Sequence, residues 1–223
     1  MGGGPFPPGA RMIQGGRRLW GQIDMAVSDS AAHLFALSRQ GDRAAFDELV
    51  RRYRPRIFAL ALHLTGSTED ADDVAQETFL RAYRRLEDFR AASEFYTWVY
   101  RIAVNSALNV RRAHARRRTT SMDDPRVALA VQVDASGDPR RQTELRQIYT
   151  RLIEALDALP EAMSSTVVLV ALQGLTHDEA AAVLGCTAGT IAWRIHEARE
   201  RLHEAVTTRR DQVSAVAFIP VFS

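Results

Sequence analysis

Carboxylate side chains are concentrated in one short segment, "STEDADDVAQET", residues 67–78. It holds five acidic residues and no basic one, and on a helix Asp70, Asp73 and Glu77 share a face with Gln76 beside them. Paired carboxylates can bind a metal ion or act as general acid and base. No histidine stands at ligand spacing and no nucleophile is adjacent, so we expect no catalytic residue, metal or cofactor. The segment instead indicates a protein-docking face, with a solvated helix N-terminus as the alternative.

A second segment, "FYTWVYRIAVNSALNVRRAHARRR" at residues 95–118, has the opposite character. It contains six arginines and no acid, and four of its first six residues are aromatic. Aromatic side chains stack on unpaired bases and arginines hold the phosphate backbone, so this pattern is typical of single-strand binding. We expect Trp98 to be at least partly buried. The predicted binding residues are Tyr96, Trp98, Tyr100, Arg101, Asn105, Asn109, Arg111 and Arg112.

Residues 176–204 carry the pattern of a helix-turn-helix: a short helix, the turn "GCTA" and a longer helix. Ile191, Ile195, Ala198 and Leu202 form the inward stripe of the longer helix, and its other face is polar. The second helix of such a motif fits the major groove of DNA. A plain helical hairpin with a solvated face is the alternative.

Cys186, the single cysteine of the chain, lies in that turn. A reactive thiol needs a lowered pKa, and no histidine–carboxylate pair stands beside Cys186 to provide one. We therefore expect a small packing residue. One cysteine excludes an intrachain disulfide and a cysteine-based metal cluster, which fits a reducing compartment.

These segments belong to a chain whose periodicity is helical almost throughout. We predict an all-α fold of two small helical domains, residues 29–118 and 139–208, joined by a flexible linker at 119–138 that lacks a sustained helical period. Residues 1–28 are rich in glycine and proline at their start and are predicted to be disordered. Met25 stands just before the first helix signals, so two alternatives stay open: translation begins at Met25, or the extension from Met1 is real and flexible. The tail, 209–223, is unexplained; its "SAVAFIPVF" is the one candidate strand.

Helix caps and stops can be placed from residue type alone. Pro55 lies inside a helical run and could kink it. The predicted caps and stops are Gly41, Asp42, Gly66, Ser67 or Thr68, the Asp138–Pro139 pair, the Thr176–Glu179 capping box, Gly185 and Thr187.

The charge of the chain is modest, +2, but all 29 of its basic residues are arginine. Arginine suits nucleic-acid contacts, although biased codon usage explains the same count. No apolar run approaches the roughly 20 residues of a membrane span, and the N-terminus lacks the apolar core of a secretory signal. We expect a cytoplasmic protein without membrane insertion.

The two halves together resemble bacterial RNA polymerase sigma factors of the sigma-70 family. "GDRAAFDELVRRYRPRIFALALHLTGSTEDADDVAQETFLRAYRRL" followed by "FYTWVYRIAVNSALNVRR" is similar to sigma region 2. "LDALPEAMSSTVVLVALQGLTHDEAAAVLGCTAGTIAWRIHEARERL" is similar to region 4. The match covers about residues 30–118 and 140–206, and the lack of a substantial domain between them points to the extracytoplasmic-function (ECF) group.

The resemblance implies an alternative sigma factor, not an enzyme, that binds core RNA polymerase and opens promoter DNA. Asp70, Asp73, Gln76 and Glu77 map onto the segment that docks on the β′ clamp helices, and region 4 implies the β flap as a further contact. The basic aromatic helix maps onto the −10 reader, and the preceding loop, residues 86–94, onto the pocket for a flipped base. The linker is similar to the stretch that threads toward the RNA exit channel. The family also implies an anti-sigma factor as partner.

The last helix maps onto the −35 reader and departs from the family at Ala192, Trp193 and Glu197. Because a glutamate accepts from cytosine N4, we hypothesise an unusual −35 sequence or a weaker dependence on it. The −35 residues implied are Thr187, Thr190, Trp193, Arg194, His196, Glu197 and Arg199.

Two other classes stay open at this point. A helix-turn-helix regulator would bind operators without polymerase, but it would need neither the acidic segment nor the aromatic basic helix. A metal-dependent hydrolase would need histidine ligands near the clustered carboxylates, which the sequence does not place there.

Overall fold

The computed structural model describes residues 31–86, 95–114, 124–131 and 139–207, and within these ranges every regular element is helical. The all-α prediction is therefore confirmed for this part of the chain. The predicted disordered segment 1–28, most of the loop before the basic aromatic helix, and the tail with its candidate strand lie outside the described residues.

The N-terminal half is built from four helices. Residues 31–39 form α1, and Arg43–Thr65, Thr68–Arg84 and Phe95–His114 form α2, α3 and α4. The predicted boundaries at α2 and α3 are confirmed by hydrogen bonds.

Asp42 Oδ1 accepts from the Ala45 amide at 3.1 Å at the start of α2, and Ser67 Oγ accepts from the Asp70 amide at 3.2 Å at the start of α3. Gly66 ends α2 with φ +67°, a left-handed conformation that glycine adopts without strain. Pro55 lies inside α2, which continues through it as one helix.

Apolar faces of α2, α3 and α4 pack against one another. Leu49, Ile57 and Leu60 of α2 are completely buried, as helical spacing on one face requires. Phe95 at the start of α4 joins α1 to this core, because its ring centroid lies 5.2 Å from that of Phe35.

A short helix, α5 (Pro125–Val131), crosses the segment predicted to be an unstructured linker. The prediction of a linker without a helical period therefore needs correction at Pro125–Val131. Asp124 caps α5, because its carboxylate accepts from the Arg126 amide at 2.8 Å, and Val127 is buried against Leu145 and Ile153. Asp124–Pro125 repeats the cap-plus-proline pattern of Asp138–Pro139, so the signal was present but too short for a periodicity argument.

The C-terminal half contains α6 (Pro139–Ala158), α7 (Glu161–Val167), a π-helical segment (Val168–Leu172), α8 (His177–Leu184) and α9 (Ala188–Thr207). The capping box predicted for α8 is confirmed, since Thr176 and Glu179 bond reciprocally. Gly185 follows α8 with φ +67°, so that the chain can turn into α9. Ile191, Ala198 and Leu202 of α9 are buried as predicted, with Ile195 partly buried beside them.

The two halves pack against each other and are not separated by the linker. Helix α4 packs on α8, and α2 packs on the π-helical segment. Apolar side chains of both halves form a continuous buried cluster. Within the described residues no helix is both long and apolar enough to cross a membrane.

Candidate polymerase and nucleic-acid surfaces

The predicted docking residues of α3 point in two directions. Asp73 and Gln76 are exposed, whereas Asp70 is turned toward α4, where its Oδ2 lies 3.3 Å from Nδ1 of His114. Glu77 accepts from Arg81 at 2.5 Å, one turn along the helix. The four predicted docking residues are thus on α3, but Asp73 and Gln76 are the more accessible pair. Among the described residues no His, Cys, Asp and Glu side chains are grouped so that they could hold a metal ion.

Two large apolar side chains lie next to the exposed Asp73 and Gln76 on α3. Leu80 is 52% exposed and Tyr83 is 47% exposed, which is unusual for residues of this size in a packed helix. With Asp73 and Gln76 they are spaced 3, 4 and 3 residues apart, so they follow one face of α3. We call these four residues the α3 stripe. Sequence reasoning missed Leu80 and Tyr83, although the spacing contains the signal.

The aromatic residues of α4 differ in accessibility. Trp98 is partly buried as predicted, with its ring centroid 6.1 Å from that of Phe95. Tyr100 is only 2% exposed, because α4 packs there against the C-terminal half. Asn105 and Asn109 are both exposed, one turn apart.

Both tyrosines of the predicted binding face contact the C-terminal half. Tyr100 Oη donates to Gln173 Oε1 at 3.4 Å, and Tyr96 donates to the carboxylate of Glu179. Partial burial acts to raise the pKa of Glu179, but hydrogen bonds from Tyr96 and Thr176 outweigh burial, so the pKa is lowered. The glutamate of the helix-turn-helix capping box is therefore also a contact between the two halves.

All three arginines of the predicted binding face of α4 donate to the C-terminal half. Arg101 donates to the carbonyl of Ala182. Arg111 donates to the carbonyl of Asp157 at 2.9 Å and to Ser164 Oγ at 3.0 Å.

Arg112, the third of these arginines, forms a two-pronged ion pair with the carboxylate of Glu161. In this conformation the basic face of α4 is thus engaged by the chain itself.

A buried ion cluster lies where the linker meets both halves. Arg126 is 3% exposed and pairs with Asp124 and with Asp157, each at 2.7 Å, and it also donates to the carbonyl of His63 at 3.4 Å. Burial acts against the charged guanidinium, but its hydrogen bonds to the two carboxylates outweigh burial and raise the pKa of Arg126. The pKa of His63 is lowered to about 4, first by burial and then by the positive charge of Arg126.

On the polar face of α9, the residue that departs most from the family pattern, Trp193, is open to solvent. Trp193 is 57% exposed, and His196 and Arg199 are exposed as well. Thr187 caps α9 as predicted, because its Oγ1 accepts from the Thr190 amide at 3.2 Å.

Two further side chains of this face are held in place. The Nε of Arg201 lies 2.8 Å from Glu197 Oε1, and Nη1 of Arg194 lies 3.8 Å from Sγ of Cys186. Cys186 is partly buried and packs on the core, which agrees with the packing role expected for it.

Two protein-family models match the chain, one in each half. The family model "Sigma-70 region 2" matches residues 49–117, and "Sigma-70, region 4" matches residues 149–202. The first match contains the α3 stripe and α4, and the second contains α7, α8 and most of α9.

Similar full-length proteins include the "ECF RNA polymerase sigma-E factor" of Escherichia coli (strain K12), which is 39% identical over 178 residues. That alignment covers 75% of this chain and 90% of the relative. The "RNA polymerase sigma-H factor" of Pseudomonas aeruginosa is 34% identical over 186 residues, covering 82% of this chain and 96% of the relative.

Similar solved structures include CnrH in complex with the cytosolic domain of CnrY, with a TM-score of 0.61 and 26% identity. The alignment covers 81% of this chain and 99% of that one. The sigma factor RpoE of Bartonella quintana, in complex with the anti-sigma factor NepR, has a TM-score of 0.52 and 24% identity, covering 74% and 98%. The second likeness supports the fold alone.

Proposed function

The chain belongs to the extracytoplasmic-function group of the sigma-70 family, and we propose that three of its surfaces divide the work of an alternative sigma factor. It binds core RNA polymerase, directs promoter recognition and DNA melting, and starts transcription. The observation that carries this function is the presence of region 2 and region 4 in one chain, in that order. Sigma factors are initiation factors, and we assign this chain no covalent chemistry of its own.

The α3 stripe is the proposed contact with the β′ clamp helices. Asp73 and Gln76 offer accessible polar groups, and Leu80 and Tyr83 offer apolar area that folding leaves unburied. Exposed apolar area next to polar groups is typical of a protein interface. Asp70 and Glu77 border the stripe and are engaged by His114 and Arg81. Region 4 is proposed to contact the β flap.

Helix α4 is the proposed −10 reader. Its exposed Asn105 and Asn109 can hydrogen-bond base edges, and its three arginines can hold phosphates. Tyr96 and Trp98 are only partly buried, so their rings need little rearrangement to stack on unpaired bases. A surface that binds single strands more tightly than duplex favours the opening of DNA.

Helix α9 is the proposed −35 reader. It begins at a helix-turn-helix turn, and its N-terminal end presents the positive end of the helix dipole to a phosphate. Thr187, Thr190 and Arg194 lie near that end, and Trp193, His196, Glu197 and Arg199 continue the polar face. Trp193 and Glu197 make this face less basic, which supports an unusual −35 sequence or a weaker dependence on it.

An anti-sigma factor is the proposed regulatory partner. RpoE of Bartonella quintana was solved with the anti-sigma factor NepR, and CnrH with the cytosolic domain of CnrY. We place the protein in the cytoplasm, because core polymerase acts there.

Run-off transcription tests the proposal. Purified chain added to core polymerase is expected to produce a discrete new start site on genomic promoter fragments. A helix-turn-helix regulator that works without polymerase docking would give no start site by itself. As a matched control, a variant with Asp73→Arg and Leu80→Arg on the α3 stripe should lose the new transcript while its α9 still binds duplex promoter DNA.

A further inference from the structure

Trp193 on α9 is the most exposed large apolar side chain in the described part of the molecule. It is 57% exposed, ahead of Leu80 at 52%, Tyr83 at 47% and Leu172 at 39%. A covered indole buries about 150–250 Å², so an indole left in water forgoes a large hydrophobic gain. A single exposed apolar residue is ordinary by itself, and its place in the fold must decide what it does.

Trp193 lies in the part of α9 that follows the helix-turn-helix turn, as the sixth residue of the helix. In this motif the N-terminal residues of the second helix contact the base edges. Helical side chains lean toward the N-terminus, so the indole extends over the preceding turn, where Gly189 has no side chain to cover it. Ala192, beside it, is small and exposed. The apolar group therefore stands where this motif reads bases.

The polar side chains next to Trp193 are engaged by the chain itself. Nη1 of Arg194 lies 3.8 Å from Sγ of Cys186, and Oε1 of Glu197 lies 2.8 Å from Nε of Arg201. The indole differs, because the described residues give it neither a hydrogen bond nor a ring contact. Trp193 can thus meet an outside molecule without breaking a contact of the described chain.

A thymine methyl group is the partner whose chemistry fits Trp193. Base pairs present hydrogen-bond donors and acceptors in the major groove, and the 5-methyl group of thymine is the apolar group among them. Neighbouring base pairs cover the faces of a paired base, so stacking is closed to the indole in a duplex. Trp193 therefore excludes water favourably at a pyrimidine that carries a 5-methyl group, and it loses that gain at cytosine. A cytosine methylated at C5 offers the same group.

We propose that Trp193 selects a thymine in the −35 element by covering its 5-methyl group. This inference deepens the proposed assignment of α9 to −35 DNA and rests on it. The preferred promoter carries thymine at one fixed position, and the preference at that position depends on the methyl group and not on a hydrogen bond to the base.

A thermodynamic cycle between the Trp193 side chain and the methyl group tests the proposal. Selection from a duplex library randomised at −35, by the free chain and by the chain on core polymerase, finds the thymine whose preference is lost in Trp193→Ala. Deoxyuridine at that position keeps the base pair and removes only the methyl group. The parent chain should bind deoxyuridine about 4-fold more weakly than thymine, the factor for burying one methyl-sized group. Cytosine and 5-methylcytosine at the same position form the second arm.

Three variants separate the methyl contact from other roles of an exposed side chain. Trp193→Ala should bind thymine and deoxyuridine equally, whereas Trp193→Phe keeps an apolar ring and should keep the preference. The matched control is Leu172→Ala, an exposed apolar residue on the π-helical segment, which should discriminate like the parent chain. Urea midpoints establish that each variant is folded.

Equal discrimination of the methyl group in the parent chain and Trp193→Ala overturns the proposal. So does a loss of affinity in Trp193→Ala that is the same for thymine and deoxyuridine, which indicates a contact with the phosphate backbone or with another protein. An effect at 5-methylcytosine without one at thymine overturns thymine as the target.

Run-off transcription from the same templates separates this inference from the proposed function. A chain that never initiates but discriminates the methyl group contradicts the proposed function and leaves the inference standing. A chain that initiates without discriminating the methyl group contradicts the inference alone.

Discussion

Glu197 and Arg201 form an ion pair one turn apart on α9, with Oε1 and Nε at 2.8 Å. Both side chains are partly exposed, so the pair is weakly held and the carboxylate can exchange its partner for a base edge. Its position beside the exposed Trp193 makes Glu197 a candidate for selecting the −35 sequence.

Replacing Glu197 with arginine should change the preferred −35 base at one position. A single direct contact between side chain and base discriminates by about 1–3 kcal/mol, so the preference should shift roughly 5- to 150-fold. Binding of the polymerase holoenzyme to a promoter library measures it. Glu200→Arg, an exposed neighbour outside the predicted set, is the control. An unchanged preference in Glu197→Arg would show that Glu197 does not read a base.

Shortening the apolar residues of the α3 stripe should weaken binding to core polymerase. Leu80→Ala and Tyr83→Ala each remove exposed apolar area, and each should raise the dissociation constant about 10-fold, as for a moderate interface residue. Titration of fluorescent chain with core enzyme gives the constant. Glu69→Gln, at the first turn of the same helix, should bind like the parent chain. If the alanine variants also bind normally, the docking surface lies elsewhere.

Replacement by alanine should change the stability of the fold in opposite directions at the two glycines that flank the helix-turn-helix turn. Gly185 has φ +67°, so Gly185→Ala should destabilise the fold by about 1 kcal/mol through backbone strain, since a Cβ there meets nothing within 4 Å. Gly189 lies in the first turn of α9 without positive φ, so Gly189→Ala should stabilise by about 0.5–1 kcal/mol. Urea unfolding of both variants measures the change in the free energy of unfolding. Changes of the same sign in the two variants would contradict the assigned turn geometry.

His63 should make the fold sensitive to acid. Its pKa is about 4 in the folded chain and about 6.5 when unfolded, so below pH 6.5 the unfolded chain binds the extra proton. Stability is complete above pH 6.5 and falls as pH drops toward 4, by about 1–2 kcal/mol from this residue at pH 5. The groups facing it are Arg126, which disfavours protonation, and Asp124, which favours it.

Urea midpoints from pH 7.5 to 5 measure the effect of His63. A His63→Gln variant should show a shallower fall than the parent chain, whereas the exposed His33→Gln should follow the parent. If the urea midpoints of all three chains fall in parallel, groups other than His63 dominate the pH dependence of stability.

The local features of this protein could be predicted from its sequence. Asp42, Gly66, Ser67 and the Thr176–Glu179 box act within one helical turn, so residue type and spacing suffice to place them. The same holds for the inward stripe of α9. The proposed docking surface was predicted incompletely, because Leu80 and Tyr83 have the residue types of a core and only packing reveals that about half of each side chain stays exposed.

Tertiary structure alone decided the relation between the two halves. Arg101 and Ala182 are 81 residues apart in sequence, and Arg111 and Asp157 are 46 apart, so no periodicity connects them. The buried environment of the Arg126 side chain likewise depends on two carboxylates and a carbonyl that three separate elements contribute. Helix period and capping are set by neighbours along the chain, and these determined the elements and the family. Which face of one half buries which face of the other depends on shape and charge across space. For that reason α4, the proposed −10 reader, is also an internal contact.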